Sequence, residues 1–175
     1  MTPKESVPVV SFVGKSGVGK TTALELVIRE LKRRGRRVGT VKHDTHGFDM
    51  DKPGKDSWRH AEAGSDAVAV SGPHKVALIR RLDEELTLDE IVRLMGDVEI
   101  VLTEGYKRGD APKIEVTRRE CGTELLCQAE ELVGILADYP VPLGAGVPQF
   151  ALDDAGGVVD LLEKLYFRDV GVDRR

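Results

Sequence analysis

Two apolar runs in the chain have the composition of strands that are buried inside a sheet. Residues 7–13 read Val-Pro-Val-Val-Ser-Phe-Val, an apolar run rich in β-branched side chains, as is typical of strands. Residues 98–103 read Val-Glu-Ile-Val-Leu-Thr and favour a strand in the middle of a sheet. Over residues 20–34 the apolar positions follow helical spacing instead, at Leu24, Val27, Ile28 and Leu31. The first part of the chain is therefore predicted as a strand, a turn and an amphipathic helix.

Beyond this helix, short strands and short helices alternate. Gly35 ends the helix and Val38–Val41 is the next strand, so the first two strands belong to a βαβ unit and should be parallel and adjacent or nearly so. Further strands are predicted at Lys113–Thr117 and Leu132–Leu136, a hairpin at Asp66–Ser71 and Lys75–Arg80, and helices before Gly64, after a Thr87–Glu90 capping box and at Gly157–Phe167.

The turn after the first strand matches the P-loop pattern G-x-x-x-x-G-K-[ST] in the strand-to-helix context that this motif requires. Its glycines let successive N–H groups point into one concavity, and the helix that follows adds its positive end, which together make a site for phosphate. In this motif Lys20 reaches the β- and γ-phosphates, and the Thr21 hydroxyl is a ligand for Mg²⁺. The predicted nucleotide-binding residues are Gly14, Lys15, Ser16, Gly17, Val18, Gly19, Lys20, Thr21 and Thr22. The fold class that follows is α/β, a three-layer P-loop NTPase fold whose mostly parallel sheet has an antiparallel edge or hairpin.

A P-loop also needs a carboxylate to hold Mg²⁺, usually at the end of a neighbouring strand. Glu104 closes the most apolar strand of the chain and is followed by glycine, so we predict that Glu104 and Thr21 hold the metal. Asp44, after the second strand, could orient a water molecule. Lys20, Asp44 and Glu104 are the predicted catalytic residues. Asp97 precedes the same strand as Glu104 and is interpreted as a turn residue.

Residues 43–57 form a polar loop without periodicity, at the end of a strand where α/β proteins place functional groups. His43 and His46 have H-x-x-H spacing, and Asp49, Asp51 and Asp56 lie nearby. Because this spacing falls in a loop and not on one helix face, it is weak evidence for zinc. A position near the γ-phosphate or on a partner-binding surface is the preferred interpretation.

Two residues bear on which nucleotide is bound. Lys15 follows the first glycine of the P-loop, as in the G-K-G-G-x-G-K-[ST] variant of dimeric ATPases of the ParA, MinD and nitrogenase iron-protein kind, although Ser16 replaces a glycine of that variant. A lysine that only faces solvent explains it equally well. Asp138 ends a strand and could accept hydrogen bonds from guanine N1 and N2, but the chain has no Asn-Lys-x-Asp motif.

Composition narrows the function classes further. At 175 residues and 41% hydrophobic, the chain is expected to form one domain over residues 1–175. Its net charge of −4 gives no reason to expect nucleic-acid binding, and a basic run between Arg29 and Arg37 is attributed to a solvated helix end, with an acidic partner as the alternative. No apolar run reaches membrane-spanning length, and Cys121 and Cys127 fit neither a C-x-x-C nor a zinc pattern. We expect a soluble, cytoplasmic protein with no membrane partner.

The combination of motifs resembles the MobB family. The P-loop at Gly14–Thr22 alone is shared by many families, but the histidine-containing loop joined to Glu-Gly-Tyr-Lys is far more specific. The matching segments, which together span roughly residues 7–117, are Gly14–Thr22, Lys42-His43, His46-Gly47-Phe48, Asp51, Gly54–Ser57, Ala63-Gly64, Thr103–Lys107 and Pro112–Val116.

The resemblance implies a homodimer that binds GTP and Mg²⁺, hydrolyses GTP weakly and assists a MobA-type guanylyltransferase, which transfers GMP to molybdopterin. Molybdopterin or the enzymes that carry it are further implied partners. Alternatives are a small ligase or kinase of the dethiobiotin-synthetase type, which shares a strand ending in Glu-Gly, and a dimeric ATPase that depends on Lys15. A metal-insertion GTPase is less favoured, since the chain lacks Asn-Lys-x-Asp and a cysteine-based metal site.

Overall fold

The computed structural model describes residues 6–45, 47–143 and 146–167. These residues divide into two compact units: Asp44–Arg93 forms the smaller one, and the described residues up to His43 and from Leu94 onward form the larger one. That the chain acts as one domain stays a prediction.

The helices and strands follow the predicted alternation. In chain order they are β1 (Val9–Val13), α1 (Lys20–Arg33), β2 (Val38–Lys42), α2 (Asp56–Glu62), β3 (Ala67–Gly72), β4 (Lys75–Arg80), α3 (Leu88–Leu94), β5 (Ile100–Glu104), β6 (Lys113–Thr117), β7 (Leu132–Ala137), β8 (Gln149–Phe150) and α4 (Ala155–Tyr166). Two 3₁₀ turns, Arg119–Cys121 and Ala129–Glu131, lie between β6 and β7.

The larger unit is built on a six-stranded sheet in the order β2-β5-β1-β6-β7-β8. Every pairing in it is parallel, and β3 and β4 form a separate antiparallel hairpin in the smaller unit. The α/β class, the mostly parallel sheet and the hairpin are thus confirmed. Strand β5 lies between β1 and β2, so the strands of the first βαβ unit are near neighbours and not adjacent.

One face of the sheet is apolar and is covered by α1 and α4. Side chains that alternate along β1, such as Val10 and Phe12, are fully buried there against Leu31 of α1 and Leu162 of α4. Burial of apolar area of this kind is the main favourable contribution to folding.

The opposite face carries polar side chains that are nevertheless buried. Thr103 donates to Ser11 Oγ at 2.8 Å, and the carboxylate of Glu115 accepts hydrogen bonds from the backbone N–H groups of Leu126 and Cys127 at 2.7 and 3.0 Å. Backbone without regular structure needs such partners when it is buried. Glu115 therefore holds the segment between β6 and β7 against the sheet, while Thr103 and Ser11 satisfy each other between β5 and β1.

The basic run at the end of α1 is bound within the chain. Arg34 contacts Glu30 at 2.7 Å, Asp160 at 2.6 Å and Glu163 at 2.8 Å, and Arg36 lies over the ring of Phe167. These contacts join the C-terminus of α1 to α4, where cations also suit the helix dipole. Arg34 and Arg36 therefore stabilise the fold.

Candidate functional site

The P-loop leaves β1 and enters α1 through glycines in conformations that other residues rarely adopt. Gly14, Gly17 and Gly19 have φ of 151°, 79° and 93°, and a Cβ at Gly14 would collide with the carbonyl oxygen of Val116 in β6. Gly14 is therefore required both for its φ and for the close approach of β6.

Lys20 lies folded over this loop. Its Nζ donates to the carbonyl oxygens of Lys15 at 2.8 Å and of Gly14 at 3.2 Å. Burial lowers the pKa of the Lys20 ammonium from its ordinary value; Glu104 opposes this shift, and the like charges of Lys107 and Lys42 add to it. An ammonium held at the mouth of a loop of N–H groups is placed to contact phosphate oxygens.

Thr21 and Glu104 meet at the boundary between α1 and β5. The Thr21 hydroxyl lies 2.9 Å from Glu104 Oε2 and 3.1 Å from Oε1. Both groups present oxygen atoms, and one carboxylate together with a P-loop hydroxyl is the kind of donor set that Mg²⁺ takes while it retains waters and phosphate ligands. The two residues that the sequence predicted as metal ligands are therefore neighbours, and the donor set fits Mg²⁺.

The turn after Glu104 has a strained backbone. Tyr106 has φ of 53° and, among the described residues, it alone has positive φ without being glycine. The Tyr106 ring stacks on the His43 ring with 4.4 Å between centroids. The backbone N–H of His43 donates to the backbone carbonyl oxygen of Glu104 at 3.0 Å. Strained residues persist where the surroundings hold them, so these contacts fix the backbone that carries the Glu104 side chain.

Asp138 lies at the end of a strand two positions from β1, in the direction away from β5. It directly follows β7, is exposed, and its Oδ1 accepts from the backbone N–H of Arg119 at 2.9 Å. This hydrogen bond ties the ends of β6 and β7 together and fixes the carboxylate at the edge of the sheet. Its contact with a base stays a prediction.

The remaining P-loop residues have different surroundings. Val18 is buried in the core beside α1, whereas Ser16, Gly17 and Thr22 are exposed or nearly so. Lys15 Nζ lies 3.0 Å from the position that a Cβ at Gly122 would occupy, so the Lys15 side chain lies beside Gly122 of the same chain. Its action across a dimer stays a prediction.

The polar loop belongs to the smaller unit, apart from His43. Asp44 is exposed and begins that unit, and its catalytic role in orienting a water molecule stays a prediction. His46 lies outside the described residues. Among the residues that the structure describes, no group of three or more His, Cys, Asp or Glu side chains could hold a metal ion, and no helix is long and apolar enough to cross a membrane.

Arg118 is a candidate that the sequence reasoning missed. It follows β6, its Nε donates to the Val18 carbonyl oxygen at 3.0 Å, and its Nη2 lies 3.5 Å from the position of a Cβ at Gly19. The rule that places functional groups after parallel strands, used for Glu104 and Asp138, also applies to the position after Lys113–Thr117.

Strand, glycine-rich turn, helix and parallel sheet together define a protein of the P-loop NTPase fold. A family model described as "Molybdopterin guanine dinucleotide synthesis protein B", MobB, matches residues 9–138. The chain belongs to the MobB family. The resemblance seen in the sequence is thereby confirmed.

Individual relatives agree with this assignment. The molybdopterin-guanine dinucleotide biosynthesis adapter protein of Escherichia coli is 33% identical over 168 residues, covering 93% of this chain and 95% of the relative. The protein of that name from Haemophilus influenzae is 35% identical over 139 residues, or 78% of either chain. The crystal structure of Bacillus subtilis MobB matches with a TM-score of 0.72 at 28% identity, covering 90% of this chain and 97% of that one.

Proposed function

We propose that this protein is a GTP-binding adapter in the synthesis of molybdopterin guanine dinucleotide, which assists a MobA-type guanylyltransferase. The observation that carries the proposal is the contact between Thr21 and Glu104 at the mouth of a P-loop, in a chain of the MobB family. The adapter role is supported by the names of the relatives from Escherichia coli and Haemophilus influenzae.

The P-loop supplies the phosphate-binding part of the function. The backbone N–H groups around Gly17 and Gly19 and the start of α1 favour an anion, and Lys20 adds a positive charge. Thr21 and Glu104 would hold Mg²⁺, which when bound neutralises charge on the β- and γ-phosphates. Asp138, fixed by the Arg119 N–H, is the group that would favour guanine over adenine.

We expect hydrolysis to be weak. Fast phosphoryl transfer requires a group that orients the attacking water, and the candidate for it, Asp44, is an exposed loop residue. Slow GTP hydrolysis suits a protein that delivers a substrate to a partner enzyme or shifts the state of that enzyme.

A homodimer is the second part of the proposal, and the β3–β4 hairpin supports it. Val76 and Leu78 are 70% and 63% exposed. Val76 and Leu78 are two residues apart in β4, so their side chains lie on the same face of the hairpin. A two-stranded sheet has little stability alone, and a second copy would cover this face.

Calorimetric titration with GTP and with ATP, each with Mg²⁺, tests the function directly. We expect GTP to bind more tightly, and we expect the protein to raise the rate of a MobA-type guanylyltransferase that acts on molybdopterin. Tighter binding of ATP would favour the ligase or the Lys15-dependent ATPase, and an unchanged guanylyltransferase rate would contradict the adapter role.

A further inference from the structure

The carboxyl ends of the central strands place four functional groups in a row along one edge of the sheet. Strand β1 lies between β5 and β6, and β7 lies beyond β6. Glu104 is the last residue of β5, the P-loop follows β1, Arg118 follows β6 and Asp138 follows β7. Thr117 at the end of β6 is paired with Ala137 at the end of β7, so Arg118 and Asp138 leave the sheet at the same level.

This order gives a direction to a bound nucleotide. Thr21 and Glu104 lie on the β5 side of the P-loop, and these two residues would hold Mg²⁺ and with it the β- and γ-phosphates on that side. The base is attached at the far end of the phosphate chain and so extends in the opposite direction, over β6 and β7. Arg118 lies between the phosphate-binding loop and the carboxylate of Asp138.

Arg118 is held in this position by the loop itself. Its Nε donates to the Val18 carbonyl oxygen, and among the described residues the structure records no ion pair for its guanidinium. The side chain is only partly buried. A planar cation that is fixed at one nitrogen and has no carboxylate partner is suited to pack against an aromatic ring.

We propose that the Arg118 guanidinium packs flat against the purine of the bound nucleotide and fixes the base for recognition at its edge by Asp138. The inference rests on the proposed function, since it assigns a residue to the nucleotide site. We assign Arg118 to the base because its anchored Nε lies on the β6 side of the loop while the metal-binding pair lies on the β5 side. Its Nη2 lies 3.5 Å from the position of a Cβ at Gly19, so contact with a phosphate is the alternative that the test below separates from contact with the base. Stacking of this kind accepts either purine, so Arg118 contributes affinity and Asp138 contributes the choice of base.

The test compares a nucleotide with a probe that lacks base and ribose. The affinities of the wild type, Arg118→Ala, Arg118→Lys and Arg119→Ala for GTP and for inorganic tripolyphosphate are measured by calorimetry with Mg²⁺. Arg119→Ala is the matched control, because its side chain lies over Tyr139 and its backbone N–H, which contacts Asp138, is retained. Thermal unfolding of each variant without ligand shows whether it is folded.

We expect Arg118→Ala to lose roughly tenfold in GTP affinity, as suits a desolvated contact between a cation and a ring, while tripolyphosphate affinity stays within about twofold. Arg118→Lys keeps the charge and a donor for Val18 but lacks the planar group, so its GTP affinity should stay reduced. An equal loss for both ligands would assign Arg118 to the phosphates or to support of the loop. Full recovery in Arg118→Lys, or no loss in Arg118→Ala, would also overturn the proposal.

Failure of the proposed function has a different signature. If the wild type binds ATP in preference to GTP, GTP binding as its function fails, but the comparison of variants is then made with ATP and still decides the stacking. If the wild type binds neither nucleotide, both proposals fail.

Discussion

The hydroxyl of Thr21 at the start of α1 donates to the carboxylate of Glu104 at the end of β5, 2.9 Å from Oε2. The two residues are 83 positions apart in the chain and meet because β5 is the neighbour of β1. This contact connects the start of α1, directly after the phosphate-binding loop, to the carboxylate that ends β5.

Replacement of Glu104 by glutamine tests the metal site. The amide keeps the shape of the side chain but removes the negative charge that favours a divalent cation, so Mg²⁺ should strengthen GTP binding much less in Glu104→Gln than in the wild type. Titrations with and without Mg²⁺ measure this difference, and Glu124→Gln, an exposed residue, serves as the control. If Glu104→Gln retained the full Mg²⁺ dependence, the metal would be held elsewhere, with Asp44 the next candidate.

Removal of the Lys20 side chain tests the P-loop. Among the described residues, the Lys20 side chain donates hydrogen bonds to two loop carbonyls. Lys20→Ala should therefore abolish nucleotide binding while changing the free energy of unfolding by no more than about 0.5 kcal/mol, as is usual for positions outside the core. Calorimetry and denaturant unfolding give the two quantities, with exposed Lys164→Ala as the control. Unchanged nucleotide affinity would show that this loop is not the phosphate site.

Much of the fold can be predicted from local patterns, because the hydrophobic period and the glycine positions determine the elements directly. The structure has β6 and β4 at the predicted bounds, and the Thr87–Glu90 capping box forms, with the Thr87 N–H donating to Glu90 Oε2 at 2.8 Å. Strand β8 is only two residues long, which is too short to give a periodic pattern.

The contacts that the sequence did not reveal depend on strand order. Arg118 meets Val18 only because β6 is adjacent to β1, and no local pattern states which strands are neighbours. Likewise, Glu115 in an alternating strand resembles a surface residue, and it is buried because a loop supplies two N–H donors to it. Polar residues on a buried face need partners from distant parts of the chain, and these become visible only in the fold.

A charge on the face of the hairpin tests the homodimer. Leu78 is 63% exposed, and burial of an unpaired carboxylate at an interface is strongly unfavourable. Leu78→Asp should therefore shift a dimer toward monomer by at least about tenfold in dissociation constant, which corresponds to about 1.4 kcal/mol. Sedimentation of the variant, the wild type and exposed Leu165→Asp on α4 decides this. A dimer of unchanged stability in Leu78→Asp would place the interface on another surface.

The ion pairs at the end of α1 predict a dependence of stability on acid. Hydrogen bonds from Arg33 and then Arg34 lower the pKa of Glu30 from 4.5 to about 2. Since the pKa is lower in the folded state, the stabilisation is complete above about pH 4.5 and is lost as the pH falls toward 2. Denaturant unfolding at several pH values should show a wild type more stable than Glu30→Gln at pH 6, with the difference shrinking below pH 4.5. A difference that does not change with pH would contradict the assignment.

Alanine substitutions at Gly14 and Gly17 distinguish the cost of steric crowding from the cost of backbone strain in the P-loop. An alanine at Gly17 has open space but must adopt φ of 79°, which costs roughly 1–2 kcal/mol. At Gly14 the added methyl group also meets the Val116 carbonyl, and such crowding adds about 1–3 kcal/mol. Denaturant unfolding without nucleotide should therefore show Gly14→Ala as the less stable variant by at least about 1 kcal/mol. Equal stabilities would mean that β6 can move away from the loop at little cost, and the close approach of β6 would then not be what requires glycine at position 14.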